Sequence, residues 1–179
     1  MTIHLAPFQL QDFDQLISWI DSPEMLLQWS GPRRYTYPLD QGQLILQLAE
    51  TLGPEPVTRI YKALNDHEQV VGHIEFRGIN RRDNVAVLCA VMIAPAERGK
   101  QLCLPMVRCA LQMGFEELQF RRIELNVYDT NISAVSCYER AGFIREGTQR
   151  QTVMVGGRFV DTIMMAILRD DWLRSSNRT

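Results

Sequence analysis

The sequence lacks the features by which several classes of protein are recognised. No run of about 18 apolar residues is present, so we expect no membrane-spanning helix and no membrane partner. The first residues also lack the basic and apolar segments of a signal peptide. The formal net charge is only −2, which argues against a nucleic-acid partner. Neither a P-loop nor a glycine-rich dinucleotide fingerprint occurs, so two common nucleotide sites are excluded.

Cysteine and histidine are also sparse. The four cysteines form no C-x-x-C pair, and the three histidines are scattered, so no metal site is expected. Each cysteine lies in an apolar context, and we interpret all four as reduced core thiols of a cytoplasmic protein. They are Cys89, Cys103, Cys109 and Cys137.

The composition and the apolar pattern indicate one domain over residues 1–179. The chain is 46% hydrophobic and 22% charged, which is ordinary for a globular protein. Ser22 and Pro23 mark the start of a short helix, and a later helix is expected to end at Gly53. An antiparallel meander of strands follows over residues 57–94. Its last strand is an almost continuous apolar run, which predicts burial of both faces.

The second half alternates helices and strands. An apolar stripe predicts a helix that starts close to Gln101, because Pro105 is tolerated only near a helix start. A strand, a helix capped by Asn131 and a hairpin with a Gly156-Gly157 turn complete the pattern. We therefore expect a mixed α/β domain.

A strand-to-helix turn, VMIAPAERGKQLC, is the first candidate site. A buried strand is stopped by Pro95, and an Arg98-Gly99 turn leads into a helix. The free N–H groups and the dipole of a helix start suit a diphosphate, and glycine lets the backbone approach a ligand closely. The alternative is an ordinary turn with solvated basic residues, and the residues alone leave both interpretations open.

The stretch NVYDTNISAVSCYERAGF is the second candidate site. Asn126 lies in a strand, Asn131 caps the following helix, and Tyr138 lies two turns further along the same helix face. Taken alone, capping and core packing account for all three side chains.

In their order along the chain, these motifs resemble the GCN5-related N-acetyltransferase (GNAT) superfamily, and most closely its branch of ribosomal-protein N-terminal and diamine acetyltransferases. The resemblance covers residues 3–168 and is strongest over residues 71–143. It implies a GNAT fold of α/β (α+β) type, with a mixed central sheet of about six to seven strands flanked by helices. The sheet would part between the strand ending at Ile93 and the strand Ile123–Tyr128, leaving a slot for pantetheine.

The resemblance implies acetyl-CoA as co-substrate and assigns residues to it. The backbone groups that would bind the pantetheine arm belong to Val91, Met92 and Ile93. The turn and helix start that would bind the pyrophosphate comprise Arg98, Gly99, Lys100, Gln101, Leu102, Cys103 and Leu104. Asn131 would lie beside the coenzyme. Gln101 departs from the family, which has a small residue there, and it either points away or weakens binding.

The resemblance also makes Tyr138 the catalytic acid and leaves the base open. An amine attacks the thioester carbonyl, and the leaving sulfur needs a proton, which tyrosine supplies without being charged at pH 7. Asn126 stands where some relatives have an acidic base, and an amide does not accept a proton near pH 7. Glu75 is the remaining candidate base, with a water relay that includes His73 as an alternative. Otherwise Glu75 is a solvent-facing strand residue.

Acceptor choice is expected to be set by the helices and loop of Asp21–Asp40, which include WSGPRRYTYPL, and by Glu75–Arg82. The candidate substrate-binding residues are Trp29, Arg33, Tyr35 and Asn126. The aromatic side chains either wall the acceptor cleft or pack the loop down. Arg33 and Arg34 would disfavour a polyamine by like-charge repulsion and would suit an acceptor with a carboxylate. The expected acceptors are a small-molecule amine, an amino acid or a peptide N-terminus.

Three functions remain for the chain. The first is an N-acetyltransferase that moves acetyl from acetyl-CoA to a primary amine by direct attack in a ternary complex. The second is a non-catalytic acyl-CoA-binding or sensing protein on the same fold, which Gln101 and the lack of an acidic residue at Asn126 favour. The third is an interaction domain without a coenzyme site. The oligomeric state stays open, with a homodimer formed through the last strands as one alternative.

Overall fold

The computed structural model describes residues 2–176, which form one seven-stranded sheet with helices around it. The strands are β1 (His4–Pro7), β2 (Arg59–Leu64), β3 (Val70–Asn80), β4 (Val85–Ile93), β5 (Arg122–Tyr128), β6 (Ile144–Val155) and β7 (Arg158–Leu168). The helices are α1 (Phe13–Ser18), α2 (Pro23–Ser30), α3 (Gln41–Ala49), α4 (Cys103–Gln112), α5 (Ile132–Ala141) and α6 (Arg169–Ser176). The strand order is β1-β2-β3-β4-β5-β7-β6, with β4 and β5 parallel and the other described neighbours antiparallel. The expected mixed sheet is confirmed, while residues 1 and 177–179 of the expected domain lie outside the described residues.

Helices cover both faces of the sheet. α4 and α5 pack on one face, where Met106 and Val135 belong to one apolar cluster. α1, α2 and α3 pack on the other face around Leu16 and Leu44. Full burial of each such side chain stabilises the fold by about 1.5–3 kcal/mol. None of the helices within residues 2–176 combines the length and the apolar character needed to cross a membrane.

Local sequence sets the ends of the first helices. Ser22 Oγ accepts a hydrogen bond from the amide of Met25 at 3.2 Å, and Pro23 is the first helical residue, as predicted. α3 ends at Ala49, so its predicted end at Gly53 is wrong. The chain after Ala49 continues in turns whose amides bond to carbonyls three residues back. Gly53 lies beyond them in the loop, with a left-handed φ of +89°.

β4 lies in the middle of the sheet, but it is not buried on both faces. Its side chains alternate between buried and half-buried, so the predicted two-sided burial is wrong. The reason is that β4 borders an opening in the sheet. An extra residue in β4, opposite His73 and Glu75, forms a β-bulge at which Ala90 has a left-handed φ of +48°. The Ala90 carbonyl accepts a hydrogen bond from Trp29 Nε1 at 2.9 Å, which ties α2 to the bulge.

α4 begins at Cys103, slightly later than the predicted start near Gln101. Pro105 is therefore in the first turn, where amides have no intrahelical partner and proline removes no hydrogen bond. Beyond Gln112 the helix widens into a π-helical turn over Met113–Glu117 before the chain enters β5.

Two of the four cysteines are joined, contrary to the expectation of four reduced thiols. Cys103 at the start of α4 and Cys137 in α5 form a disulfide, with Cα atoms 6.5 Å apart. The two helices pack on the same face of the sheet, and a separation of 34 residues in sequence gives no sign of this proximity. Cys89 and Cys109 are free thiols. The cytoplasmic location, which rested partly on reduced cysteines, stays a prediction.

Candidate functional site

The sheet opens between β4 and β5. The parallel pairing involves only Val85–Val87 on β4, and it extends no further among the described residues. Beyond it the two strands border a cavity of about 1320 Å³. This confirms the predicted parting between the strand that ends at Ile93 and the strand Ile123–Tyr128. Backbone groups on the facing edges of both strands are therefore available to an extended ligand.

The cavity brings most of the predicted site residues together. Those that line it are Tyr138, Val91, Met92, Ile93, Arg98, Gly99, Gln101, Leu102, Cys103, Leu104, Asn131, Trp29, Arg33 and Asn126. Three predicted residues lie outside the lining: Lys100, Tyr35 and Glu75. The Lys100 ammonium instead bonds both carboxylate oxygens of Glu97 at 2.9 Å.

The turn between β4 and α4 has the geometry of an anion site. Gly99 and Gln101 both have left-handed backbone, with φ of +81° and +59°. Glycine adopts this conformation freely, whereas a residue with a β-carbon pays about 1–2 kcal/mol for it. No side chain among the described residues caps the start of α4. The amides of Cys103 and Leu104 are thus free to bind an anion at the positive end of the helix dipole.

Tyr138 reaches the cavity from α5. Its side chain is only 7% exposed, and its hydroxyl has no hydrogen-bond partner among the described residues. Burial, with a smaller contribution from Cys89, raises the pKa of Tyr138 above the ordinary value for tyrosine. The phenol therefore stays protonated at neutral pH and is free to donate to a ligand.

The two asparagines border the cavity from different elements. Asn131 Oδ1 accepts hydrogen bonds from the Ala134 amide at 3.3 Å and from Ser133 Oγ at 3.2 Å, so its capping role is confirmed. Asn126 is an exposed residue of β5 and pairs with Met164 of β7. Both side chains can contact a ligand that lies between the parted strands.

Glu75 is fully buried, so the alternative of a solvent-facing strand residue is wrong. Its carboxylate accepts hydrogen bonds from Gln47 Nε2 at 2.6 Å and His73 Nε2 at 2.8 Å, and lies 3.0 Å from Arg77 Nε. Burial acts to raise the pKa of this carboxyl, but the hydrogen bonds and charges of these three neighbours outweigh it and lower the pKa. Glu75 is thus an ionised carboxylate enclosed by two hydrogen-bond partners and one cation.

Arg77 is a cavity residue that the sequence did not single out. Its Nε lies 3.0 Å from Glu75 Oε2 and 3.0 Å from Cys89 Sγ. Burial raises the pKa of Cys89 to about 12, so the sulfur beside Arg77 is a thiol. The sequence spacing could have identified Arg77, because His73, Glu75 and Arg77 alternate along the strand and so lie on one face of β3.

The loop WSGPRRYTYPL (residues 29–39), called the acceptor loop below, is packed down by its aromatic residues. The rings of Trp29 and Tyr35 stack with centroids 5.3 Å apart and planes 4° from parallel. Arg34 donates two hydrogen bonds to Glu50, at 3.2 and 2.8 Å, and its guanidinium lies over Tyr35. Arg33 is exposed at the edge of the cavity. Of the two alternatives for the aromatics, packing is the one observed for Tyr35, while Trp29 both packs and lines the cavity.

Comparison with known sequences covers the same region. The "Acetyltransferase (GNAT) family" profile matches residues 17–143. The chain is 25% identical over 173 residues to the probable N-acetyltransferase YjcK of Bacillus subtilis (strain 168), which is 95% of this chain and 96% of that protein. It is 31% identical over 109 residues to the spermidine N(1)-acetyltransferase of Vibrio cholerae, which is 61% of this chain and 62% of that protein.

Comparison with solved structures shows the same fold. The crystal structure of spermidine N-acetyltransferase from Vibrio cholerae in complex with CoA and spermine matches with a TM-score of 0.84. The match covers 96% of this chain and 98% of that chain at 22% sequence identity. At this identity the likeness concerns the arrangement of helices and strands, so the cavity's own residues must carry the functional argument.

Proposed function

Because the chain belongs to the GNAT acetyltransferase family, whose co-substrate is acetyl-CoA, we propose that it moves acetyl to a primary amine by direct attack in a ternary complex. One observation carries the proposal: the parted strands put the Tyr138 hydroxyl and the uncapped start of α4 on a single cavity. Such a cavity has room for a thioester, an acid and an acceptor together.

Acetyl-CoA would lie along β4 and across the start of α4. The edge of β4 that faces β5 offers backbone groups of Val91–Ile93 to the amides of pantetheine, as one strand does to another. The pyrophosphate would lie at the amides of Cys103 and Leu104, with Arg98 adding positive charge. The donors present therefore fit an extended arm that ends in a diphosphate.

Tyr138 would act as the general acid. The amine nitrogen bonds to the carbonyl carbon, the carbon–sulfur bond breaks, and the sulfur takes the phenolic proton. The proton lost by the amine then restores the tyrosine through water. The buried phenol is protonated at neutral pH, as a general acid must be before it donates its proton.

We propose that water, rather than Glu75 itself, removes the amine proton. The Glu75 carboxylate has no exposed surface, and it is enclosed by donors from Gln47 and His73 and by the Arg77 cation. A carboxylate in this setting, with a lowered pKa, is a weak proton acceptor and does not reach the cavity. A water relay also needs no side-chain base at Asn126.

Acetyl-CoA titration by calorimetry, followed by an amine screen with a thiol-release assay, tests the proposal. We expect micromolar or tighter binding and turnover with at least one small amine, amino acid or peptide N-terminus. The spermidine acetyltransferase of Vibrio cholerae supports a small amine as the first acceptor to try. Folded protein that binds no acetyl-CoA would contradict the proposal.

A non-catalytic acyl-CoA-binding protein is the second candidate, and the side chain of Gln101 is the observation in its favour. The left-handed turn sets that side chain at the edge of the anion site, where a small residue is expected. This candidate predicts coenzyme binding without turnover for any amine, and it predicts that Tyr138→Phe leaves function intact.

A homodimer through the last strands remains a proposal. β6 forms an edge of the sheet, and exposed apolar side chains on β6 and β7 include Ile144, Met154 and Phe159. Such side chains at a strand edge suit contact with a second copy. Light scattering on the protein as it elutes from a size-exclusion column should give twice the chain mass. A monomer mass would contradict the proposal.

A further inference from the structure

We propose that Arg77 binds a carboxylate on the acceptor, so that the natural acceptor is an amine that also carries a carboxylate, such as a free amino acid. This inference rests on the proposed acetyl transfer and names the acceptor class for that site. It depends on three observations: the Nη atoms of Arg77 have no partner among the described residues, the contact with Glu75 holds the side chain in place, and arginines predominate in the cavity lining.

The terminal nitrogens of Arg77 are free to bind a ligand. The side chain is 18% exposed and lines the cavity, and its Nε is the atom that lies beside Glu75 and Cys89. Neither Nη atom has a partner among the described residues, and neither is sealed from solvent. A guanidinium held at Nε presents two parallel N–H groups at its other end, which matches the two oxygens of a carboxylate.

The Arg77 side chain is held rigidly because the Glu75 carboxylate that it contacts is itself fixed in place. Glu75 is held by Gln47 from α3 and by His73 from its own strand. His73 in turn packs edge to face against Phe8 and Trp29, with ring centroids 4.9 and 5.5 Å away. Glu75 is therefore a positioning residue, which aims Arg77 without touching the acceptor. A preorganised guanidinium loses little side-chain freedom on binding.

The cavity has the charge of an anion-binding site. Five arginines line it, and Glu97 is the single carboxylate among its described lining residues. The arginines are Arg33, Arg34, Arg77, Arg98 and Arg140. The last two lie by the start of α4 and on α5, whereas the first three lie at the acceptor loop and β3. Arg34 pairs with Glu50, and Arg77 lies against Glu75, which offsets part of this charge. Both carboxylates lie outside the cavity lining, so a polyamine entering at that loop would meet the arginines first and be disfavoured.

The test compares each acceptor with its own uncharged counterpart. Wild-type enzyme is assayed with a panel of L-amino acids, each beside its α-carboxamide, and with spermidine. A C-terminally amidated peptide with an acidic second residue distinguishes a side-chain carboxylate from an α-carboxylate. We expect kcat/KM to favour the carboxylate over the carboxamide by about 10- to 100-fold, the range for a charge-assisted pair.

Arg77→Gln should bring that ratio close to one by slowing the carboxylate substrates alone. Because this change leaves Glu75 without its cation, the double variant Glu75→Gln/Arg77→Gln serves if the single variant folds poorly. Glu75→Gln alone should lower the ratio partly, since it retains Arg77 but loosens it. Arg82→Gln is the matched control, because it removes an exposed arginine outside the cavity lining.

Two results would overturn the inference while acetyl transfer stands. One is turnover of amines with a ratio near one, or with spermidine as the preferred acceptor. The other is a ratio that Arg77→Gln leaves unchanged in folded protein. Binding of acetyl-CoA without turnover of any amine would instead defeat the proposed function, and the inference with it.

Discussion

The rings of Tyr138 and Phe143 meet edge to face, with centroids 5.9 Å apart and planes at 65°. The Phe143 amide also donates to the Tyr138 carbonyl at 3.0 Å. The ring is thus fixed by packing at the end of α5, and the hydroxyl takes no part in that packing. The phenol is therefore a group whose chemical role can be tested with little disturbance of the fold.

Tyr138→Phe should lower turnover by about 10²- to 10⁴-fold, the usual range for loss of a general acid. Acetyl-CoA affinity should stay the same, because the hydroxyl acts on the leaving sulfur rather than on the coenzyme's diphosphate. Steady-state kinetics and calorimetry measure the two effects. Tyr61→Phe, which removes a hydroxyl outside the cavity lining, is the control. An unchanged rate would remove Tyr138 from the mechanism.

Gln101→Gly should stabilise the protein by about 1 kcal/mol, because glycine accepts the left-handed φ of +59° without strain. Such a gain raises the melting temperature by about 2–4 °C in a chain of this size. It should also tighten acetyl-CoA binding, since a bare backbone lets the diphosphate approach. Gln151→Gly is the matched control, because exposed Gln151 has a φ of +51° outside the cavity lining. Equal affinity in the two variants would show that the Gln101 side chain already points away.

Glu75→Gln should destabilise the protein at neutral pH by about 3–5 kcal/mol, because it leaves the partly buried Arg77 without its anion. The folded pKa of Glu75 is lowered, so its ionised form stabilises the fold above the unfolded value of about 4.3. That contribution disappears as the pH falls through the folded pKa. Urea unfolding of both proteins from neutral pH down to about pH 3, which is below the unfolded value, should show the difference shrinking at the acid end.

The control for this pH series is Glu146→Gln. Glu146 forms an exposed pair with Arg122, and such pairs contribute less than about 1 kcal/mol. A loss as large as that of Glu75→Gln would show that the effect does not depend on burial.

Reduction of the Cys103–Cys137 bond should lower the free energy of unfolding by roughly 3–4 kcal/mol. The reason is that the bond closes a loop in the unfolded chain and so limits its conformational entropy. The bond joins residues 34 positions apart. Urea unfolding with and without reductant measures the change, and Cys137→Ser should reproduce it. Cys109→Ser, at a free thiol, should not. Alkylation of all four cysteines without reductant would contradict the bond.

Signals that act over a few residues were enough to predict much of the fold. The Ser22 cap, the Asn131 cap and the Gly156-Gly157 turn each depend on contacts within four residues, and all three are present as expected. The end of α3 was misplaced because Gly53 has the left-handed φ of a helix cap but lies in the loop, beyond the turns that follow Ala49.

The site was predictable where its residues follow one another in the chain. The turn from Arg98 to Leu104 is such a segment, and most of it lines the cavity. Arg77 was covered by the range Glu75–Arg82 but not singled out, because its contacts with Glu75 and Cys89 join two strands that only the folded sheet brings together. The disulfide was missed for the same reason, since it needs α4 and α5 side by side.

The early end of the β4–β5 ladder has a consequence for the dynamics of the whole sheet. Amides on the parted edges are protected from hydrogen exchange only while something pairs with them. A ligand that fills the gap adds RT ln(1 + [L]/Kd) to the stability, about 2.7 kcal/mol at 100 times Kd. Exchange at the β4 amides that face the gap would then slow with each increment of ligand, so that the middle of the sheet reports how fully the cavity is occupied.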